Sequence, residues 1–382
     1  MADKVRYYLE QSVPELEDLK VKGLFDKNEI TMIMRRRTDF EHRISGRGSR
    51  PRDFIKYSEF EQNLERLRKK RYNRLNKVGL VDTKPSISDW AGVRRVMFIY
   101  DRATKRFPGD DDLWGQYLKF AKTNGAIKAV YKIYTRLLQL QPRNIEAWLS
   151  AAKYEFETNG NAKGTRLLFQ QALRLNPESL VLWLNYAQFE LTYISKLLAR
   201  RKLLGLMTEQ QQKEDEEKQN KDKESDDMIE LKGETLKNLP EADMNMLGNP
   251  ETNPALKGDV MLAIFDSCMD RFESFEVVDK MLEIVDKFDL NRDYLYQHIL
   301  YYIQQKFPND ARTAFIDVTL PMRTSTDPQD LQLSVNKFMA YKQKHNDPVL
   351  TKLFTNYIEE KFENQSEKVT QLVDAIVKKC RA

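Results

Sequence analysis

Histidine and cysteine are scarce in this 382-residue sequence: His42, His298 and His345 of the first, Cys268 and Cys380 of the second. Two cysteines cannot build a disulfide framework or a four-ligand zinc site, so a reducing compartment, cytosol or nucleus, is expected. No histidine has a second His or Cys at ligand spacing such as i+4. Thirteen Pro and fourteen Gly argue against a chain rich in tight β-turns. Long apolar runs are missing too. Leu203-Leu204-Gly205-Leu206-Met207 falls far short of the ~18 residues a membrane span needs. The start, Met1-Ala2-Asp3-Lys4, leads into a charged helical pattern rather than an apolar signal core.

Charge is plentiful and uneven. Charged residues make up 32% of the chain, against about 25% in an average domain. Residues 35–80 hold fifteen Lys/Arg against six Asp/Glu, a surplus of nine positive charges within a total of only +5. The remainder is therefore mildly acidic, with a net −4.

Three residue types share one period. Trp114, Trp148 and Trp183 are separated by 34 and 35 residues, and Pro108, Pro142 and Pro177 keep the same step, as do Tyr100, Tyr134 and Phe169. After each Trp, side chains at +3 and +6 line one helical face: Tyr117 and Phe120, Ala151 and Tyr154, Tyr186 and Phe189. Asn124-Gly125 and Asn159-Gly160 suit helix ends. A second helix, with Val130, Ile133, Tyr134, Leu137 and Leu138, stops before Pro142. Neither helix can hide its apolar stripe alone, so stacked neighbours must form the core. A further copy lies upstream, with Phe54, Tyr57 and Phe60, at an irregular distance of 60 residues from Trp114. A loop around Thr83-Lys84-Pro85-Ser86 takes up part of that distance, with Ser88 or Asp89 capping the next helix.

The period fits the tetratricopeptide class. The acid at +7 in Phe60-Glu61, Tyr154-Glu155 and Phe189-Glu190, absent in Phe120-Ala121, resembles instead the half-a-TPR, or HAT, repeat of RNA-processing assemblies. The resemblance covers about 52–195. The expected architecture is all-α, an α-solenoid of helix pairs: an N-terminal helical segment over 1–51, a HAT array over 52–207, a charged linker over 208–256 and a C-terminal, degenerate HAT-like array over 257–382. Residues 208–227 are almost without apolar content and read as a solvated or disordered stretch. Beyond it, helices are expected at 277–288, 292–306, 309–320, 328–345, 348–363 and 366–380.

The flanks are similar to one HAT family. Arg6-Tyr7-Tyr8-Leu9-Glu10-Gln11, Gly23-Leu24-Phe25, Arg37-Thr38-Asp39-Phe40-Glu41-His42-Arg43, Leu239-Pro240-Glu241-Ala242-Asp243 and Asn249-Pro250-Glu251-Thr252-Asn253-Pro254-Ala255-Leu256 resemble the U3 small nucleolar RNA-associated protein 6 family. The resemblance implies a nucleolar, non-catalytic scaffold of the small-subunit processome, in the subcomplex called UtpB, acting in pre-rRNA processing and 18S rRNA maturation. Its implied partners are other subunits of that complex, mostly β-propeller proteins, with U3 RNA or pre-rRNA contact left open. A HAT scaffold of a splicing or 3′-end machine and a peptide-binding tetratricopeptide adaptor are the alternatives.

No cofactor, metal or membrane is expected, and no nucleophile–base constellation is visible. The loop Ser45-Gly46-Arg47-Gly48-Ser49-Arg50-Pro51 lacks the Gly-Lys-Ser/Thr ending of a phosphate loop and reads as a basic hinge between helices. Cys268 reads as a small core residue and Cys380 as a terminal residue without a partner. The candidate binding residues are Arg35, Arg36, Arg37, Arg43, Arg47, Arg50 and Arg52, then Arg68, Lys69, Lys70 and Arg71 on a helix beginning near Asn63. Three readings compete: contact with RNA phosphates, docking to an acidic protein face, or a solvated face with arginines paired to Asp39, Glu41, Glu59 and Glu65. The repeat residues Phe54, Tyr57, Phe60, Trp114, Tyr117, Phe120, Tyr134, Pro142, Trp148, Tyr154, Phe169, Pro177, Trp183, Tyr186 and Phe189 are expected in the core rather than in base stacking.

Overall fold

A computed structural model describes residues 2–77, 86–203, 254–288, 292–308, 310–324, 328–344, 347–362 and 375–380. Among them every regular element is a helix and no strand occurs. The chain divides into two compact units, residues 1–147 and 148–382. That boundary falls inside the expected repeat array rather than at either end. Most of the charged segment, 208–253, lies outside the described residues, as does His345.

The first unit contains α1 (Ala2–Glu10), α2 (Val13–Val21), α3 (Lys27–Ser45), α4 (Pro51–Lys77), α5 (Ser88–Arg106), α6 (Asp111–Thr123) and α7 (Ile127–Leu140). Their ends follow local chemistry. Asp26 and Glu29 close a reciprocal capping box on α3, and the Asp110 side chain accepts from Leu113 N at the start of α6. Gly23 (φ +66°) and Gly125 (φ +65°) end α2 and α6 in the left-handed region. There the amides of Gly125 and Ala126 donate to Lys122 O and Ala121 O, while Gly23 and Leu24 donate to Lys20 O and Leu19 O. The start of α5 differs from expectation: Ile87 holds the N-cap position, and Asp89 accepts from Ser86 N from within the first turn. α4 is also longer than expected, one helix from Pro51 rather than one starting near Asn63.

α3 and α4 pack antiparallel, as the pairs Arg37–Glu61 and Arg71–Glu29 run in opposite sequence order. Their apolar stripes join Leu16, Leu19, Leu24 and Phe25 in one cluster, and Phe54, Tyr57, Ile99, Ala103 and Leu113 in another.

The second unit holds most of α8 (Ile145–Glu157), then α9 (Ala162–Leu175), α10 (Leu180–Leu203), α11 (Pro254–Lys257), α12 (Asp259–Phe272), α13 (Phe275–Val285), α14 (Arg292–Lys306), α15 (Ala311–Thr324), α16 (Pro328–Lys344) and α17 (Pro348–Phe362). α10 packs on α9 and also on α12 and α13, so helices from both sides of 204–253 share this unit. α15 runs past the expected end at 320, through Pro321. Proline cannot donate to the carbonyl four residues back. That carbonyl, Asp317 O, accepts instead from Lys337 Nζ at 3.3 Å. Cys380 corrects its reading as well: it is buried in the last cluster with Phe338 and Phe354, and its carbonyl accepts from Lys342.

One aromatic arrangement recurs within the units. Phe40 stacks on Tyr57 with centroids 5.1 Å apart, Tyr100 on Tyr117 at 5.6 Å, and Phe169 on Tyr186 at 5.2 Å. The same three rings tilt against Phe60, Phe120 and Phe189 at 5.5, 6.3 and 5.6 Å. In each copy the leading aromatic precedes Phe54, Trp114 or Trp183 by fourteen residues. Trp114 Nε1 donates to Pro108 O and Trp183 Nε1 to Pro177 O, a repeated tie of the first helix to the preceding turn. Trp114, Trp148, Phe54, Tyr57, Tyr117, Tyr134, Tyr154, Phe169, Tyr186 and Phe189 are buried. Phe60, Phe120, Trp183 and Pro177 are half-buried, and Pro142 is exposed. The two prolines are thus helix stops after α7 and α9, not core.

Candidate functional site

The basic stretch 35–77 divides by helical geometry into an inward and an outward set. On α3 the inward stripe is Ile33, Arg37, Glu41 and Ile44, spaced by four, four and three. Arg37 occupies a core position in that stripe, while Arg35, Arg36 and Arg43 point outward and are exposed. On α4 the inward stripe runs Phe54, Tyr57, Ser58, Glu61, Glu65 and Arg68, leaving Arg52, Lys69 and Lys70 exposed. Arg47 and Arg50 are exposed in the turn between the helices.

The inward arginines are internal partners. Arg37, 0% exposed, donates through Nε and Nη2 to both oxygens of Glu61 at 2.7 and 2.9 Å, and reaches Glu15 at 3.4 Å. Arg95 of α5 donates to the other Glu15 oxygen at 2.5 Å. Burial alone would raise the Glu15 carboxyl, but Arg37 and Arg95 outweigh it and hold it below its ordinary 4.5. Burial likewise opposes the Arg37 charge, and Glu61 and Glu15 reverse that and raise its pKa. Arg102 makes a bidentate pair with Glu41 at 2.9 and 2.7 Å. Arg68 is buried between Glu65 and Asp89, and Arg71, half-buried, pairs both Nη atoms with Glu29 and also donates to Leu24 O. Hydrogen bonds from Arg71, first, and from the Asp26 amide pull the Glu29 carboxyl down to about 2.

Arg37 and Arg68 are therefore corrected from contact candidates to core members, and Arg71 has its donors committed. Of the four acceptors expected on a solvated face, Glu65 takes Arg68 and Glu41 takes Arg102 from outside the stretch, both carboxylates buried, while Asp39 and Glu59 form no ion pair among the described residues. Glu15, Glu29 and Glu61 are acceptors that sequence reasoning missed. A glutamate spaced inside an apolar helical stripe was the available signal.

Of the candidate residues, eight remain on the surface: Arg35, Arg36, Arg43, Arg47, Arg50, Arg52, Lys69 and Lys70; Arg66, Arg74 and Lys77 of α4 are exposed as well. Among the described residues only Lys69 of these forms an ion pair, with Glu65 at 3.7 Å. The chain brings Arg43, Arg47, Arg50 and Arg52 together at the α3–α4 turn. Arg106 of α5 fixes that turn by donating to Ile44 O, Gly46 O and Arg47 O. Arg35 and Arg36 lie two helical turns back along α3, roughly 10–12 Å away at 1.5 Å per residue. Lys69 and Lys70 are not part of this group, being roughly 25 Å along α4 from Arg52. His42 is exposed beside the turn. Cys268 is fully buried, and burial pushes its thiol up to about 12, so it is no nucleophile. Among the described residues no group of three His, Cys, Asp or Glu could hold a metal ion, and no helix is long and apolar enough to cross a membrane.

Residues 9–95, which contain α3, the basic turn and α4, match the family model described as U3 small nucleolar RNA-associated protein 6. A Schizosaccharomyces pombe protein of that name is 39% identical over 204 residues, 53% of this chain and 41% of that protein. A mouse homologue is 32% identical over 157 residues, 41% of this chain and 26% of its own length. A Dictyostelium discoideum homologue is 25% identical over 348 residues, 86% of this chain and 55% of that protein. The matches thus span about a quarter to just over half of the relatives' lengths. Over these stretches the chain is similar to proteins of the U3 small nucleolar RNA-associated protein 6 family.

Proposed function

From this relationship we propose that the chain acts in ribosome biogenesis, as a non-catalytic part of the U3-containing machinery that processes pre-rRNA in the nucleolus. The single observation that carries the reading is the family match over 9–95, the stretch that builds the basic turn. Its helix pairs, with their recurring aromatic stack and acid, are in this reading HAT repeats. Stacked helix pairs offer long surfaces for holding partners in fixed relation, which suits a scaffold of the processome and its UtpB subcomplex with β-propeller companions.

At the α3–α4 turn, Arg43, Arg47, Arg50 and Arg52 are the residues best suited to phosphates: clustered, exposed, and on a turn held by Arg106. Such contacts carry no sequence information and weaken with salt. RNA crosslinking with mass spectrometry on the purified assembly tests this. Crosslinks are expected at 43–52, with 69–70 markedly weaker. Their absence throughout 35–77 would exclude RNA as the target and leave docking to an acidic protein face. Charge reversal at Arg47 and Arg50 should lower the salt slope of RNA binding by ~1 per lost phosphate contact.

A further inference from the structure

A cavity of the first unit, about 960 Å³, opens beside α5 and faces α1 and α2. Its wall includes Ile87 and Trp90, exposed by 65% and 63%, and the half-open ring of Phe98. Trp90 is the tryptophan outside the 34–35-residue register, 24 residues before Trp114, and it takes no part in the repeated aromatic stacks. Tryptophan left open in a cleft next to an open isoleucine is the composition of a binding hot spot, not of a solvated face.

The cavity also carries charge of one sign to spare. Arg102 lies 4.7 Å from the centroids of both Tyr8 and Phe98, clamped by Glu41. Arg95 is held by Glu15, and its Nε lies 3.8 Å from Glu61. Arg94 is exposed and forms no ion pair among the described residues. Arg95 and Arg102 are thus neutralised by Glu15, Glu61 and Glu41, and Arg94 is the spare charge at the cavity. An occupant must cover Trp90 and Ile87 with apolar surface and meet Arg94 with an acid.

We propose that this cavity docks a short segment of a partner protein in which a large apolar residue is flanked by aspartate or glutamate. The volume holds a few side chains, at the upper end of ordinary ligand pockets, and is too small for a folded domain. Nucleic acid suits it less, because carboxylates and an apolar wall replace the run of cations that phosphates require. The inference is independent of RNA contact at the α3–α4 turn, whose residues it does not use.

The test uses the full chain and a fluorescein-labelled peptide, Gly-Ser-Asp-Glu-Leu-Phe-Asp-Asp-Ile-Gly-Ser, in fluorescence anisotropy. Comparison probes are the same peptide with Lys for its acids, the same with Ala for Leu, Phe and Ile, and a short oligouridine. The acidic–apolar peptide is expected to bind in the micromolar range, with each altered peptide weaker by ~tenfold or more. Trp90→Ala and Arg94→Glu should each weaken it by ~tenfold without moving the melting temperature, since both side chains are exposed. The proposal fails if no binding is seen by ~1 mM peptide, or if both variants bind within ~twofold of the parent. It also fails if Trp90→Ala abolishes oligouridine binding instead, or if it dissolves a dimer seen by sedimentation; the occupant is then RNA or a second copy.

Discussion

Two repeats of the first unit use the same aromatic skeleton around different polar pairs. In one, Phe40 stacks on Tyr57 and tilts on Phe60; in the other, Tyr100 stacks on Tyr117 and tilts on Phe120. Three residues before the leading ring the first has Arg37 and the second Met97; seven after the first-helix aromatic they have Glu61 and Ala121. Base and acid are present together in the first and absent together in the second. A third copy, around Phe169 and Trp183, has both again, Arg166 making a bidentate pair with Glu190 at 2.7 Å. Where Glu155 stands at the acid position, Asn159 and Asn161 donate to it at 2.9 and 2.6 Å. The aromatic skeleton recurs, and wherever a buried acid stands at this position it is given donors, from an arginine or, opposite Tyr131, from asparagines. That follows from the cost of stranding one charge in a dry interior, which exceeds the net value of the intact pair.

This contrast can be broken at several points. Arg37→Met alone strands Glu61 and part of Glu15 and should cost ~3–5 kcal/mol in urea unfolding. Trp114→Ala removes a buried ring shared with the Met97–Ala121 copy and should also cost ~3–5 kcal/mol, whereas Trp183→Ala, half-buried, should cost less. Arg166→Met strands Glu190, which is as buried as Glu61, and is expected to cost ~3 kcal/mol, at the lower end because Arg166 itself keeps 25% of its surface in water. The smallest effect is acid-dependent. The Glu29 carboxyl is lowered from 4.5 to about 2, so its contribution is complete above pH 4.5 and drains away as pH falls toward 2. Glu29 is well exposed, so Glu29→Gln should cost less than ~1 kcal/mol at neutral pH and flatten the thermal stability between pH 4.5 and 2.

Much of the helical framework was legible because it rests on period and local chemistry. The Trp register, the helix end at Gly125 and the helices at 292–306 and 348–362 need only spacing, caps and apolar stripes. Phe40 escaped as a repeat residue because the 27-residue α4 stretches the next copy to 60 residues, hiding a fixed offset of fourteen. Arg37 escaped for another reason. Its neighbours Arg35 and Arg36 make the run look like surface, yet it shares an inward stripe with Ile33 and Ile44. Residue type outweighed position in that reading, and position was right. Cys380 was illegible in principle, since its burial depends on Phe338 and Phe354, dozens of residues earlier. The cavity at Trp90 needs the packing of α1 and α2 beside α5, which no local pattern announces.

The coupling of the buried pair is tested most directly by a double-mutant cycle at Arg37 and Glu61, using the residues the neighbouring repeat employs. Urea unfolding of Arg37→Met, Glu61→Ala and the double variant would be compared with the parent. The account predicts that each single change is severe and that the double variant is more stable than the sum of the singles by ~2 kcal/mol or more. Single changes costing below ~1 kcal/mol, or losses additive within ~0.5 kcal/mol, would contradict it.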